Sequence, residues 1–471
     1  MNERQVDVAI IGAGSAGLYA LSQVRRSGKR FVLINGGELG TTCARVGCMP
    51  SKAIVQVAED FHRRRQFDRY GVEGHEDMGL SLPEAMDYVQ SLRDTFVERV
   101  ISNSTDTLGD DFVEGYASFV EPNVLDVEGQ RIRAERVIIA TGSRPVMPAA
   151  WVAFRDRVLT TDDLFDQEDL PASIAVIGLG AIGLELGQAL QRMGVQVTGV
   201  DLAQTIGGIA DAEVASAAIE IIGKDLPLWL GAPATVTQQP DGRLHVQAGE
   251  HAVVVERVLA SLGRVPNVER LGLERIGVPL GARGIPFFDR QTMQVPGFPI
   301  FIAGDVTGER PLLHEAGDEG RIAGYNATHD GTVAFRRKVP LNITFCDPNI
   351  CAVGARSGEL DPATTAIGQV NFAPVGRAMI MGKNKGLLRV YADRRSGRLL
   401  GAEMVAPKGE NLAHLLAWCI EQELTVGQLL RMPFYHPVIE EALQAALYDL
   451  YAKVEAKNPG PITELAVAQP R

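Results

Sequence analysis

The chain repeats one local pattern twice in register: a short apolar run, the glycine pattern GxGxxG, a stretch that can form a helix, and a second apolar run. Equivalent positions of the two copies lie 166 residues apart, from Gly12 and Gly178 at the first glycine to Asn35 and Asp201 at the end of the second apolar run. A strand before these glycines and a helix after them are the context in which the pattern binds a dinucleotide. The motif glycines are Gly12, Gly14 and Gly17 in the first copy and Gly178, Gly180 and Gly183 in the second.

Each glycine of the pattern has a physical reason. The first allows a tight turn, the second lets the backbone approach a pyrophosphate, and the third lets the helix pack on the strand, while the helix N-terminus favours negative charge. A further glycine, Gly28 or Gly194, stands where each helix should end. Two such units predict two bound dinucleotides, and two Rossmann-like folds without a nucleotide are the alternative. The predicted strands of the two units cover residues 6–11, 30–34, 174–177 and 195–200.

The residue that ends the second unit bears on the choice of nucleotide. Asp201 stands where an acidic side chain accepts hydrogen bonds from an adenosine ribose, and the stretch 202–210 contains no Arg or Lys that could meet a 2′-phosphate. Repulsion between Asp201 and such a phosphate favours NAD(H) over NADP(H). Asn35 stands at the equivalent place of the first unit and can bond a ribose hydroxyl without charge assistance.

Two thiols, Cys43 and Cys48, follow the first unit directly in the run Cys-Ala-Arg-Val-Gly-Cys-Met-Pro-Ser-Lys. Thiols at the edge of a nucleotide site can exchange electrons with the ring that the nucleotide carries, so a redox enzyme is predicted. A structural disulfide and half of a zinc site are the alternatives, and the stretch 38–58 offers no His and no further Cys to zinc. The economical arrangement is a retained flavin in the first site and a diffusible hydride donor in the second.

Composition limits the class of protein. The chain has 471 residues, which suggests about three domains, and 46% hydrophobic with 22% charged residues is typical of a soluble globular protein. A net charge of −12 argues against nucleic acid as a partner, and the basic cluster 62–65 is interpreted as the solvated face of a helix.

Location is inferred from what the chain lacks. No apolar run approaches the ~20 residues of a bilayer span, and a strand that starts near Val6 leaves no room for a signal peptide. Five cysteines make no disulfide framework, so we expect a cytoplasmic protein without a membrane partner or a metal site. Cys346, Cys351 and Cys419 are interpreted as ordinary small apolar residues.

Four further motifs complete a resemblance to a known family. With the glycine patterns and the Cys-x4-Cys-x-Pro-Ser-Lys run, they resemble the pyridine nucleotide-disulfide oxidoreductases in order and spacing over nearly the whole chain. Within that family the resemblance is strongest to the dihydrolipoamide dehydrogenases. The four motifs are Ala140–Pro145, Leu259–Asn267, the stretch from Thr292 to Asp305, and His436–Glu441.

The resemblance implies an α/β fold with two Rossmann-like dinucleotide-binding domains, for FAD and NAD, plus a C-terminal α+β dimerisation domain. The FAD domain would be split around an inserted NAD domain, and the protein would be an obligate homodimer with composite sites. The expected boundaries are 1–149 and 267–337 for the FAD domain, 150–266 for the NAD domain, 338–460 for the interface domain and 461–471 for a tail.

The same resemblance implies roles for individual side chains. Cys48 would lie against the flavin as a thiolate, and Cys43 would exchange with the substrate disulfide. Lys52 would pair with Glu185 beside the flavin, where a cation stabilises negative charge on the reduced ring. The expected FAD-binding residues are Gly12, Gly14, Gly17, Asn35, Thr42, Lys52, Thr141, Gly142, Asp305 and His314. The expected NAD-binding residues are Gly178, Gly180, Gly183, Glu185, Asp201 and Gly263.

His436 and Glu441 are the expected acid–base pair. Imidazole can take and return a thiol proton near neutral pH, and Glu441 would orient the ring and stabilise its protonated form. In the family this histidine comes from the other subunit. Pro437 is predicted to lie in the first turn of a helix. The apolar stripe of that helix is Ala442, Leu443, Ala446, Leu447 and Leu450.

The implied activity is oxidation of dihydrolipoyl groups to the lipoyl disulfide with reduction of NAD+ to NADH. The substrate would be a small molecule or the lipoyl protein of a 2-oxoacid dehydrogenase or another lipoyl-carrying complex. Two alternatives stay open: an NADH-dependent reductase of another small or protein disulfide, and a non-catalytic flavoprotein that docks on a multienzyme complex or senses for it. Arg45 and Thr41 stand where the family usually has Asn and Gly. The positive charge of Arg45 is expected to lower a thiol pKa or to favour an anionic disulfide.

Overall fold

The first strand, Arg4–Ile11, lies inside a seven-stranded sheet of the computed structural model, which describes residues 3–468. It pairs in parallel with Phe31–Asn35 on one side and with Gln130–Ile139 on the other. Its last four residues are buried, as expected of an apolar run in a parallel sheet covered on both faces. The other strands of this sheet are Phe112–Glu114, Ala117–Glu121, Val124–Val127 and Ile300–Ile302.

The strand Ile300–Ile302 reaches this sheet from much later in the chain. It pairs in parallel with Gln130–Ile139, so residues on both sides of the second glycine unit build one sheet. The helix Leu313–Thr328 follows it and packs closely against Ser15–Ser27, the helix of the first glycine unit. The first site is therefore assembled from two distant stretches of chain.

The second glycine unit forms a sheet of its own with five parallel strands. Its helix, Ala181–Met193, ends at Gly194 in the left-handed conformation, as Ser15–Ser27 ends at Gly28. The strands and helices predicted for both units are thus confirmed, with boundaries within two residues. The five strands are Val158–Leu159, Ser173–Ile177, Gln196–Asp201, Leu228–Leu230 and Arg257–Ala260. A separate antiparallel sheet contains Ala234–Gln238, Leu244–Ala248 and His251–Val255.

The chain crosses between the two nucleotide-type units twice, and the crossings pair with each other. Ser143–Pro145 runs antiparallel to Arg264–Pro266 as a two-stranded ribbon. Both segments belong to motifs singled out in the sequence. The ribbon places the end of the first sheet beside the end of the second.

The C-terminal part of the chain is a five-stranded antiparallel sheet with helices packed on it, which confirms the predicted α/β and α+β fold class. The strands are Leu341–Thr344, Asn349–Gly354, Thr365–Asn371, Leu387–Asp393 and Leu399–Ala406. The long helices of this part are Gly409–Glu421 and Glu441–Lys453. The remaining α-helices of the chain are Thr42–Arg45, Cys48–Arg63, Leu82–Ser102, Thr161–Leu164, Ala212–Ile222, Gly376–Ile380 and Val426–Leu429.

The domain boundaries expected from the sequence stay predictions. Residues 1–2 of the first segment and 469–471 of the tail lie outside the described residues. Within 3–468, no helix combines the length and the apolar character needed to cross a membrane.

Two local predictions are wrong. Pro437 does not lie in a helix: the helix begins only at Glu441, whose carboxylate accepts the Val438 N–H at 3.1 Å. Its predicted apolar stripe is nevertheless buried. In the basic cluster, Arg63 and Arg65 are exposed, but His62 is not part of a solvated face. Burial near Arg192 lowers the pKa of His62 to about 4.

The contact between Ser15–Ser27 and Leu313–Thr328 can be tested by adding one methyl group. A Cβ on Gly320 would collide with the backbone carbonyl of Ala16, so the two helices would have to separate. We expect Gly320→Ala to lower the free energy of unfolding by about 1–3 kcal/mol, as overpacking of a tight contact does. Urea denaturation of the holoenzyme measures the change. Gly376→Ala is the control, since that helical glycine has no atom within 4 Å of an added Cβ. Equal stability of the Gly320 variant would contradict this packing.

Candidate active site

The first glycine turn makes room for a ligand at one end of its helix. Gly12 has a φ of 110°, and a side chain there would meet the carbonyl of Ala140 on the neighbouring strand. Gly17 packs against the carbonyl of Gly12, so helix and strand approach closely. A Cβ on Gly14 would meet nothing within 4 Å, so its backbone faces open space. A pyrophosphate can approach there, at the N-terminus of Ser15–Ser27.

The second turn repeats this geometry. Gly178 has a φ of 95° and lies against the carbonyl of Ser261, Gly183 packs on Gly178, and Gly180 faces open space. Gly263 lies two residues after Ser261, and a Cβ on it would also meet nothing within 4 Å.

The residues that end the two units are held in the same way. The Asn35 Oδ1 atom accepts the Ala13 N–H at 3.1 Å, and the Asp201 Oδ2 atom accepts the Leu179 N–H at 2.5 Å. The Asp201 carboxylate also accepts the Ala203 N–H at 2.8 Å. Both side chains are therefore fixed at the edge of the glycine turn, where a ribose would lie.

Two adjoining cavities extend from the first turn. One, of about 690 Å³, is lined by Gly12, Gly14, Asn35, Thr141 and Gly142 among others. The other, of about 240 Å³ and mostly apolar, is lined by both thiols of the Cys-x4-Cys run. The two share six lining residues, which makes one elongated space of the size that cofactors occupy. A dinucleotide with its pyrophosphate at the glycine turn and its ring beside the thiols fits these residues. The shared residues are Gly14, Thr42, Val46, Ala140, Gly142 and Arg264.

The two thiols differ in acidity. Cys43 lies in the one-turn helix Thr42–Arg45, and Cys48 is the first residue of the helix Cys48–Arg63. Hydrogen bonding from the Cys43 thiol, together with the positive charge of Lys52, lowers the pKa of Cys48 to about 7. The same hydrogen bond and burial raise the pKa of Cys43. Cys48 is therefore the thiol that ionises first, and it faces the smaller cavity.

Lys52 follows Cys48 by one helical turn and forms an ion pair across two units of the fold. Its Nζ atom lies 2.7 Å from the Glu185 Oε2 atom, on the helix of the second glycine turn. The side chain of Glu185 is buried, and its Oε1 atom accepts the Phe345 N–H at 2.7 Å. The Phe345 ring lies under the Lys52 ammonium group, 4.7 Å from its centroid. The predicted Lys52–Glu185 pairing is thus present, with Phe345 as a third member.

Asp305, one of the expected FAD-binding residues, belongs to the same space. Asp305 lines the smaller cavity, and its Oδ2 atom accepts the Ser143 hydroxyl at 2.9 Å. Arg264 donates to the hydroxyl of Ser143 at 2.8 Å and to its carbonyl at 2.7 Å. Thr141 donates through its hydroxyl to the carbonyl of Asn267 at 2.6 Å. The paired crossing segments therefore hold the cavity wall together.

The histidine and carboxylate near the C-terminus form a dyad away from this space. The His436 Nδ1 atom lies 2.7 Å from the Glu441 Oε1 atom, which accepts the hydrogen bond, and this bond lowers the pKa of Glu441. The side chain of His436 is 81% exposed. His436 is not among the described residues that line either cavity. One chain thus brings His436 to Glu441 but not to the thiols.

Arg45 does not supply the charge that was expected to act on a thiol. It lines the larger cavity and pairs with Glu38, and the positive charge that acts on Cys48 belongs to Lys52. His314 matches a family segment that contacts the flavin through its backbone. Its side chain is exposed at the start of Leu313–Thr328, and the neighbouring Pro311, Leu312 and Leu313 line the smaller cavity, so its place beside the first dinucleotide stays a prediction.

Phe345 and Ser143 belong to this site but were not predicted from the sequence. Phe345 is separated by 160 residues from Glu185, and Ser143 by 162 from Asp305. Ser143 stood inside a recognised motif, which is a weak signal for its role. No local pattern marked Phe345.

Comparison with known proteins identifies, over most of the chain, the same family that the sequence motifs resemble. A family model described as "Pyridine nucleotide-disulphide oxidoreductase" matches residues 6–320, and the dimerisation-domain model of that family matches residues 341–447. The dihydrolipoyl dehydrogenase of Thermus scotoductus is 31% identical over 459 residues, which cover 94% of this chain and 97% of that protein. Dihydrolipoyl dehydrogenase 2 of Haloarcula marismortui is 30% identical and covers 93% of this chain and 95% of its own length.

Solved structures share the fold. LpdA from Mycobacterium tuberculosis superposes with a TM-score of 0.82 at 25% identity and covers 94% of this chain and 99% of its own. The HOCl-induced flavoprotein disulfide reductase RclA from Escherichia coli, in its Cu(II) complex, has a TM-score of 0.82 at 22% identity and covers 97% and 100%.

The acidity of Cys48 can be measured through its alkylation by iodoacetamide, which reacts with the thiolate. In the reduced protein, where Cys43 and Cys48 are both thiols, reactivity at Cys48 should rise with pH through a midpoint near the pKa of about 7. Lys52→Met removes a positive charge that favours the thiolate, so the midpoint should move up and alkylation at pH 7 should fall by roughly 3–10-fold. Lys29→Met, at an exposed lysine, should leave it in place. An unchanged midpoint in Lys52→Met would exclude Lys52 as the source of the shift.

Proposed function

Because the chain belongs to the pyridine nucleotide-disulphide oxidoreductase family, we propose that it is a dihydrolipoamide dehydrogenase that works through Cys43 and Cys48. It is an NAD-dependent flavin disulfide oxidoreductase with FAD and NAD(H) as its cofactors. In the proposed organisation, residues 1–149 and 267–337 hold FAD, 150–266 hold NAD, and 338–460 form the interface domain. The observation that carries the proposal is the acidic thiol Cys48 at the wall of the space that continues to the first glycine turn.

The unequal acidity of the two thiols suits one direction of exchange. A substrate thiolate would attack the Cys43 sulfur of a Cys43–Cys48 disulfide and form a mixed disulfide with it, and Cys48 would leave as a thiolate. The lower pKa of Cys48 makes it the better leaving group. The second substrate thiolate would then displace Cys43, which closes the lipoyl disulfide and leaves both enzyme thiols reduced. FAD, when bound, supplies the two-electron acceptor for this pair and passes the electrons to NAD+.

Residues of the chain supply the charge, the cofactor contacts and the apolar wall that this electron transfer would need. Lys52 keeps a positive charge at the wall that Cys48 shares, and the buried carboxylate of Glu185 holds the ammonium group there. Gly14, Thr42, Asn35, Thr141 and Asp305 would hold the first dinucleotide along the elongated space. Apolar residues such as Phe165 and Leu186 line the smaller cavity and limit the access of water.

His436 would move the substrate's protons. Glu441 fixes the Nδ1 side of the imidazole, so the other ring nitrogen is free to take a proton from a substrate thiol and later return it. Because the dyad is exposed and lies apart from the cavities of its own chain, we place it over the thiols of a partner subunit in a homodimer.

Substrate choice is tested by steady-state rates with lipoamide, glutathione disulfide and other disulfides, each with NADH and with NADPH. Lipoamide with NADH should give the fastest turnover. Faster turnover with another disulfide would assign the chain to reduction of that compound instead. No turnover with any disulfide, alongside normal FAD and NADH binding, would favour a non-catalytic flavoprotein. Neither result would change the family.

The fixed carboxylate at the second turn predicts the nucleotide. Asp201→Gly removes the charge that repels a 2′-phosphate, so the preference for NADH over NADPH in kcat/KM should fall by roughly 10-fold or more. Asp241→Gly, an exposed carboxylate on a turn, serves as the control. A wild-type enzyme that prefers NADPH would refute this assignment.

Composite sites predict complementation between inactive subunits. Cys43→Ser should abolish turnover, and His436→Ala should lower kcat by roughly 10²–10⁴-fold, as loss of an acid–base group does. A mixed dimer of the two variants has one site with both native groups, so activity should return after subunit exchange. Failure to recover activity in verified mixed dimers would mean that each chain supplies its own histidine.

The physiological partner is proposed from the activity. We place the enzyme in the cytoplasm with a lipoyl carrier as its dithiol substrate, as part of a 2-oxoacid dehydrogenase or another lipoyl-carrying complex. The small number of cysteines supports the cytoplasmic setting.

A further inference from the structure

The Lys52–Glu185 ion pair is held from the C-terminal unit by one residue that contacts both of its members. Phe345 donates its backbone N–H to Glu185 at 2.7 Å and places its ring 4.7 Å from the Lys52 ammonium group. The other Glu185 oxygen binds Lys52 at 2.7 Å, and Lys52 also reaches the Ser51 hydroxyl at 3.4 Å. Carboxylate, hydroxyl and aromatic face thus surround the ammonium group.

We propose that Phe345 is a positioning residue for Cys48: its N–H and its ring hold Glu185 and Lys52 together, so that the ammonium group stays beside the thiol. This inference rests on the proposed roles of Cys48 and Lys52. It assigns to the C-terminal unit a part in placing the charge beside Cys48, in addition to the proposed part of the His436 dyad.

The segment that carries Phe345 is itself clamped to the helix Ala181–Met193. Gln188 accepts the Asp347 N–H at 2.8 Å and donates to the Asp347 carbonyl at 3.0 Å. Arg192 lies 3.1 Å from the Asp347 carboxylate and 2.7 Å from Asp225. The spacing of Glu185, Gln188 and Arg192 places them on one face of this helix. That face binds both Phe345 and Asp347. Phe345 therefore has little freedom to move away from the ion pair.

The ion pair also separates two spaces of opposite character. Lys52 and Glu185 line the apolar cavity of about 240 Å³ beside Cys48, and both also line a polar cavity of about 280 Å³ on their other side. Phe345 lines only the polar one. The charged residues of that polar cavity, besides the ion pair, are Glu59, Arg192, Asp347, Lys383, Lys408 and Glu410.

Three further carboxylates line the polar cavity into which Lys52 also faces. Lys383 pairs with Glu59 and with Asp347, which occupies two of these carboxylates, and Glu410 is the third. Without the aromatic face, the flexible Lys52 side chain could turn toward Glu410 and away from Cys48. The charged groups that act on Cys48 are Lys52, which favours the thiolate, and Glu185, which disfavours it, so a displaced Lys52 leaves the thiol less acidic.

The test follows the ionisation of Cys48 in the reduced holoenzyme. A Cys43→Ser background leaves Cys48 as the lone thiol of the pair, and iodoacetamide labelling of the Cys48 peptide is followed by mass spectrometry on both sides of neutral pH. Phe345→Leu keeps the N–H but removes the ring, and it should raise the midpoint of labelling by about half a pH unit. Phe345→Tyr retains the ring and should titrate like the parent.

Controls separate positioning from a general loss of structure. Phe287→Leu changes an exposed phenylalanine that does not line the cavities described here, and its midpoint should not move. Should Phe345→Leu fail to fold, Phe345→Met removes the ring with less change in length. A parental midpoint in a folded ring-deleted variant, with a raised midpoint in Lys52→Met, would overturn the role of Phe345 alone. A parental midpoint in Lys52→Met as well would instead remove the proposed role of Lys52.

Discussion

The contact between Lys52 and the buried carboxylate of Glu185 joins the helix that begins at Cys48 to the helix of the second glycine turn. A carboxylate as buried as Glu185 is costly unless it is paired, and its partners here are an ammonium group and the Phe345 N–H. Those partners come from different units of the fold. The charge of Glu185 is therefore paired only when these units are packed together as in this structure. The same contact keeps a positive charge near Cys48. The geometry of the thiol site thus depends on this one ion pair.

The duplicated glycine turns explain why two nucleotides can meet at such a site. Gly12 lies against Ala140 as Gly178 lies against Ser261, and Asn35 and Asp201 are held by equivalent backbone amides. The copies differ in the sequence that follows them directly, because Cys43 and Cys48 come just after the first unit, whereas the equally spaced Cys346 and Cys351 lie far along the chain from the second. The fold therefore supplies two similar binding sites, and the thiols determine which of them exchanges electrons with a disulfide.

The sequence predicted what depends on local patterns. The two glycine units, their helix ends and the fold class could be predicted, as could the proximity of His436 to Glu441, which stand five residues apart. Contacts that form only through tertiary packing could not be predicted locally, such as Phe345 on Lys52. His62 was wrongly predicted to be solvated for that reason, because tertiary packing buries it and the charge of Arg192, on another helix, acts on it. Pro437 was wrongly predicted to be helical, since the helix begins only at Glu441, whose carboxylate accepts the Val438 N–H.

In the proposed function, Cys43 and Cys48 form the redox pair that receives or delivers the electrons of NADH. Differential alkylation of the denatured holoenzyme, before and after one equivalent of NADH under anaerobic conditions, reveals whether they do. We expect neither cysteine to be labelled before NADH and both to be labelled after it, while Cys346, Cys351 and Cys419 are labelled throughout. Cys43 and Cys48 that stay unlabelled after NADH, or that are already labelled before it, would mean that they are not the redox pair.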